Sequence, residues 1–106
     1  MFAHTVSLQL KPNSVAEFTQ IIEKDIIPLL RKQQGFQDEI AFLVPDGTAA
    51  VSISLWAHKE HAEAYHRGTH PTVLKALANM VEGTPQVHTY EVSNSTFHKI
   101  VPRVAA

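Results

Sequence analysis

The sequence predicts an α+β chain of ferredoxin-like topology, βαββαβ, and three observations predict it. Four runs have strand composition, at residues 2–10, 36–44, 50–56 and 86–95. Apolar residues recur at spacings of three and four between the first and second runs and again between the third and fourth. A Pro45-Asp46-Gly47-Thr48 turn joins the middle two. Together they imply a four-stranded antiparallel sheet with helices on one face, one domain over residues 1–95 and a tail over 96–106.

The first run alternates, with Phe2, His4, Val6, Leu8 and Leu10 on one face and Ala3, Thr5, Ser7 and Gln9 on the other, as a half-buried strand does. Asn13 or Ser14 can then cap a helix, with Glu17 placed to complete a capping box. Its apolar stripe is Val15, Phe18, Ile22, Ile26 and Leu29 or Leu30, and it stops at Gly35. Pro28 lies inside it and cannot donate to the carbonyl of Lys24, so a kink or bulge is expected there. The second strand is expected to carry Phe36, Asp38, Ile40, Phe42 and Val44 on one face. Asp38 and Glu39 then point to opposite faces, so they cannot act as a carboxylate pair. The third strand puts Val51, Ile53 and Leu55 on one face and Ser52, Ser54 and Trp56 on the other. A helix over 59–67 is expected to break at Gly68-Thr69, and His70-Pro71 to start another with the stripe Val73, Leu74, Leu77, Met80 and Val81. Gly83-Thr84-Pro85 is read as its stop.

Composition narrows the function classes. The chain has 106 residues, 44% hydrophobic and 18% charged, with a net charge of -1, which is globular usage. It has no Lys/Arg run to track a phosphate backbone, so nucleic acid is not an expected partner. Its apolar stretches fall well short of the roughly 20 residues that span a bilayer. Cys is absent, which removes disulfides and thiolate chemistry. The start Met1-Phe2-Ala3-His4-Thr5 has neither a basic segment nor an apolar signal core, and points to a cytoplasmic protein. Both faces of the third strand are too apolar to leave one wet, so a homodimer through Val51, Ile53 and Leu55 is expected. The apolar tail residues Phe97, Ile100 and Val101 are candidates to dock on the partner.

Seven His stand out, four of them (His58, His61, His66 and His70) in one short stretch with Tyr65. His66 and His70 are four apart, the spacing that brings two imidazoles together on a continuous helix. The Gly68 and Pro71 breakers are expected to separate them, and no metal site is predicted. His58 and His61 are assigned to a polar helix face or helix ends, and His4 and His88 to structural roles. Ser52 and Ser54 beside Trp56 suggest a partly polar cavity rather than solid core. Tyr65 and Tyr90 are further candidates to line it. The alternative is that helix simply covers this face and the serines bond to backbone.

In order and spacing the chain resembles the antibiotic biosynthesis monooxygenase (ABM) family over about residues 4–94. The resemblance rests on Leu10-Lys11-Pro12 with Glu17-Phe18, on Gln34-Gly35-Phe36, on Ser54-Leu55-Trp56-Ala57-His58-Lys59, and on Tyr65-His66-Arg67-Gly68-Thr69-His70-Pro71. It implies a dimeric α/β barrel with a pocket between sheet and helices. In some members it implies oxidation of quinol-like or anthrone-like aromatics by dioxygen, with no metal, flavin or other cofactor. Trp56 matches a pocket-lining Trp. The family's Asn four residues earlier is Ser52 here. A haem-degrading branch uses an Asn on the first strand, which this chain lacks, so haem and metal binding rank third. The expectation is thus a dimer binding a small apolar or aromatic molecule, with a cofactor-independent monooxygenase reaction. His66 or His70 would be the base, and Ser52, Ser54, Trp56 and Tyr65 would contact the substrate. The alternative is a non-catalytic small-molecule-binding or structural dimer.

Overall fold

The computed structural model describes residues 1–100. The chain runs β1 (Phe2–Leu10), α1 (Val15–Ile21), a π-helical turn (Ile22–Ile26), α2 (Ile27–Arg31), β2 (Phe36–Leu43), β3 (Ala49–Trp56), α3 (Lys59–Gly68), α4 (His70–Leu77), a short helical turn (Ala78–Met80) and β4 (Val81–Glu91). The sheet order is β2-β3-β1-β4, with every neighbouring pair antiparallel. This is the ferredoxin-like arrangement expected from the sequence.

The first helix follows from its residues. Pro28 has no N–H to offer Lys24, and the ladder adjusts by widening, so that the Ile27 N–H bonds the carbonyl of Ile22. The expected bulge is therefore a π turn, and it keeps Ile22, Ile26 and Leu30 buried against the sheet. Ser14 takes the N-cap position through its backbone carbonyl, which accepts from Phe18 N–H at 2.9 Å. Its hydroxyl makes no cap bond, so the capping box does not form.

Two bulges change the expected strand faces. Pairing slips between Phe36 and Asp38, so Phe36 lies opposite Trp56 on the helix-covered face while Asp38, Ile40 and Phe42 lie opposite Leu55, Ile53 and Val51 on the other. An extra residue reverses the alternation at that point, and Phe36 does not share a face with Asp38. The second slip lies between Ser7 and Gln9 on β1, facing the Gly83-Thr84-Pro85 segment of β4. That segment does not end the helix, which has already stopped at Leu77. Gly83 takes a φ of +69° that suits a bulge, and Pro85 is tolerated because β4 is an edge strand.

The helices cover one face and bury Val6, Leu8, Phe18, Leu30, Trp56 and Met80. The other face carries Val51, Ile53 and Leu55 with Ile40, Phe42 and Tyr90, and the last three are exposed. After β4 the chain returns to this open face, where His98 Nε2 bonds the Asp38 carboxylate beside Leu55. Of the apolar tail residues, Phe97 is exposed and Ile100 half-buried. Val101 lies outside the described residues.

Candidate functional site

Polar side chains converge on the helix-covered face, where a core of this kind would otherwise be apolar. The register sets Glu39, Ser54 and His4 in one row across β2, β3 and β1. Ser52 is diagonal to Glu39 and donates its hydroxyl to the Glu39 carboxylate. Ser54 Oγ accepts the Trp56 indole N–H at 2.9 Å and lies 3.4 Å from the His4 carbonyl. The two serines therefore serve a carboxylate and an indole, in addition to the backbone contact.

From above, α3 and α4 supply Tyr65, His66 and His70. The expected separation of His66 from His70 does not occur. Only Thr69 lies between the two helices, and its φ of -114° and ψ of -35° keep the backbone near helical. The two imidazoles stack with centroids 5.3 Å apart and planes at 22°. Pro71 does not disturb this, because in the first turn its missing N–H would have had no partner.

His4 is the centre of the cluster rather than a structural outlier. It is 1% exposed, its Nε2 is 3.0 Å from His66 Nδ1, and its ring meets the edges of His70 at 4.7 Å and Tyr65 at 5.2 Å. Tyr65 also stacks on Trp56, with centroids 4.7 Å apart. His70 Nε2 is buried with no hydrogen-bond partner.

His4, Glu39, Ser52, Ser54, Tyr65 and His70 border one internal cavity, which Ile22, Ile26 and Leu30 close from the first helix. Its free volume is about 20 Å³, room for about one water. Trp56 stands behind Tyr65 and does not border it, nor does the exposed His66. Tyr90 lies on the opposite face of the sheet, across from Ala3, and takes no part in it.

Burial sets the protonation states. It pushes the Glu39 carboxyl up to about 7, against the opposing hydrogen bond from Ser52. Burial, followed by the nearby imidazoles, lowers His4 and His70 from an ordinary value of 6.5 to about 4. Tyr65 is raised above its ordinary value by burial and then by the Glu39 charge. At neutral pH the site thus holds two neutral imidazoles and a carboxyl close to half-ionised. Such a carboxyl can take a proton and give it back.

Sequence reasoning missed two members. Glu39 was set aside because Asp38 and Glu39 point to opposite faces, which they do; the signal was that Glu39 then stands among Ser52, Ser54 and Trp56. His4 was legible as a His on the apolar face of the first strand, but its partners lie more than 60 residues away.

No family model and no curated protein matches the sequence. Solved structures do. The NE2512 protein of unknown function from Nitrosomonas europaea is 19% identical, with a TM-score of 0.75 over 92% of this chain and 94% of that one. A monooxygenase from the gene ActVA-Orf6 of Streptomyces coelicolor, in complex with the ligand nanaomycin D, is 16% identical with a TM-score of 0.75 over 92% of both chains. A variant of SnoaB, a cofactor-independent oxygenase from Streptomyces nogalater, is 14% identical with a TM-score of 0.72 over 92% of this chain and 97% of that one. At these identities the likeness speaks for the fold, and the chain carries the fold of the antibiotic biosynthesis monooxygenases.

Proposed function

We propose that this protein is a homodimer that binds a small, weakly acidic aromatic molecule, of the quinol, phenol or anthrone kind, and oxygenates it with dioxygen. The observation that carries this reading is a half-buried carboxyl, Glu39, pushed up to about 7 and bordering the same cavity as two neutral imidazoles. A base poised near the working pH is what proton abstraction from carbon or a phenol requires. The sequence pointed to His66 or His70 as base; Glu39 suits the task better than His70, which at about 4 is a weaker proton acceptor.

The chemistry balances without a further reductant. Glu39 takes a proton from the substrate, and the resulting carbanion or phenolate passes one electron to dioxygen. Substrate radical and superoxide combine, and protonation gives a hydroperoxide. Loss of water from it leaves a carbonyl where the CH₂ of an anthrone, or a ring C–H of a phenol or quinol, stood: one oxygen atom enters the product and the other leaves as water. Ser52 holds the carboxylate in place, Ser54 and Tyr65 orient the ring, and the apolar wall of Ile22, Ile26 and Leu30 keeps water out. At about 20 Å³ the cavity is smaller than such a substrate, so binding on this reading requires it to widen.

Dimerisation joins the open faces through Val51 and Ile53 with Ile40, Phe42 and Tyr90, whose exposed apolar groups a single chain leaves in water. The small cavity favours a second reading, a non-catalytic dimer with a filled interior. Dioxygen uptake with anthrone or a naphthohydroquinone, together with thermal shift, separates the two. Uptake that falls about a hundredfold or more in Glu39→Gln supports the first reading; no uptake and no thermal shift support the second.

A further inference from the structure

The histidines of the site are too many and too close for a base alone. Three imidazoles from three elements meet at one point: His4 from β1, His66 from α3 and His70 from α4. One nitrogen from each lies within 4.8 Å of the other two. We propose that His4, His66 and His70 bind a divalent first-row transition metal ion, leaving at least one coordination position for water or a substrate oxygen.

Two nitrogens bound to one tetrahedral ion at about 2.1 Å each stand about 3.4 Å apart. The three nitrogens lie within 4.8 Å of one another, so the widest pair closes by at most about 1.4 Å, a movement shared between two side chains. His4 and His66 already approach to 3.0 Å through Nε2 and Nδ1. In that contact one nitrogen donates and the other accepts, so an ion replaces the shared hydrogen and the ring that carried it holds its proton on the other nitrogen. His70 Nε2 is buried and bonded to nothing. A buried ring nitrogen is normally satisfied, and a bound ion is the partner that a His ring in this trio would take.

The donor set selects the class of ion. Three imidazoles with no carboxylate among them suit zinc, copper, nickel, cobalt or iron, and do not suit the hard ions calcium and magnesium. Three protein ligands with an open position is the catalytic pattern rather than the closed structural one. His66 is exposed while His4 and His70 are buried, so the ion reaches the cluster from the solvent side without unfolding it.

Metal binding is independent of the oxygenation reading, and it is measured without turnover. The full chain, stripped with a chelator, is titrated with Co²⁺ and followed by its visible ligand-field bands; Zn²⁺ binding is followed by calorimetry. The expected result is one ion per chain, Zn²⁺ displacing Co²⁺, and affinity weakened about tenfold or more by His66→Ala. His66 is exposed, so that variant folds. His70→Gln tests a buried ligand, with far-ultraviolet circular dichroism as the check on folding. His58→Ala, a surface histidine outside the trio, should bind as the parent does. The proposal is overturned if no ion binds, if binding survives His66→Ala unchanged, or if His58→Ala weakens it as much. Dioxygen uptake that persists in excess chelator leaves the Glu39 reading standing whatever the metal result, whereas uptake lost with the ion joins the two.

Discussion

The Ser52 hydroxyl donates to the Glu39 carboxylate on the face of the sheet that the helices bury. A hydrogen bond to the charged form lowers a carboxyl pKa and burial raises it; here burial wins, and Glu39 sits at about 7 against an ordinary 4.5. Between those two values the folded chain holds a proton that the unfolded chain has released. Stability therefore declines as pH rises from about 4.5 to about 7, and the penalty is complete above that. Glu39→Gln should remove it. Above pH 7 the variant should be more stable than the parent by about 1–3 kcal/mol, with no gain near pH 4.5. Chemical denaturation at the two pH values checks this, and equal stabilities at the higher one would count against a raised Glu39.

His4 and His70 impose the opposite slope. Both are lowered from 6.5 to about 4 by burial, so the unfolded chain binds protons that the folded one refuses. Their stabilising share is fully present above about 6.5 and is lost as pH falls towards 4. His70→Gln should flatten the acid limb of the stability profile, measured as unfolding midpoint against pH.

Ser54→Ala should strand the Trp56 indole N–H, which is fully buried and donates to Ser54 Oγ at 2.9 Å. The expected cost is about 1–3 kcal/mol, read as a lower urea midpoint at unchanged slope. Near-ultraviolet circular dichroism of this lone Trp reports whether its ring also moves.

The first helical segment stops at Arg31, short of the expected Gly35, and Gly35 takes a φ of +80° in the turn that leads into β2. A Cβ there would fall 2.0 Å from Nδ1 of the half-buried His61. Gly35→Ala should therefore destabilise by about 2 kcal/mol or more, from backbone strain together with the clash. Adding His61→Ala should recover only the share due to the clash, which a double-mutant cycle in urea measures.

Ile53 lies at the centre of the open face, opposite Ile40 on β2 and Thr5 on β1. Ile53→Asp should convert a dimer to monomer or insoluble chain, measured by analytical ultracentrifugation. A well-folded dimer of the variant would move the interface elsewhere.

The order of elements was legible in the sequence because each depends on local chemistry. Alternation marked β1 and β3, Pro45-Asp46-Gly47 marked the hairpin, and Pro28 marked the π turn. The pocket-side candidates Ser52, Ser54, Tyr65 and His70 were legible for a related reason, since strand and helix periods decide which residues share a face. The sequence by itself therefore determined the ferredoxin-like topology and the apolar excess on both sides of the third strand. Only the tertiary structure decided the rest. A one-residue bulge at Phe36 reversed that strand's alternation, and a nearly continuous α3–α4 backbone kept His66 on His70. The sheet register then brought Glu39 and His4 to the same cavity. The register and the cavity turn on residues far apart in the chain, and the helix junction on a backbone that Gly68 and Pro71 alone do not predict, so no local period records them.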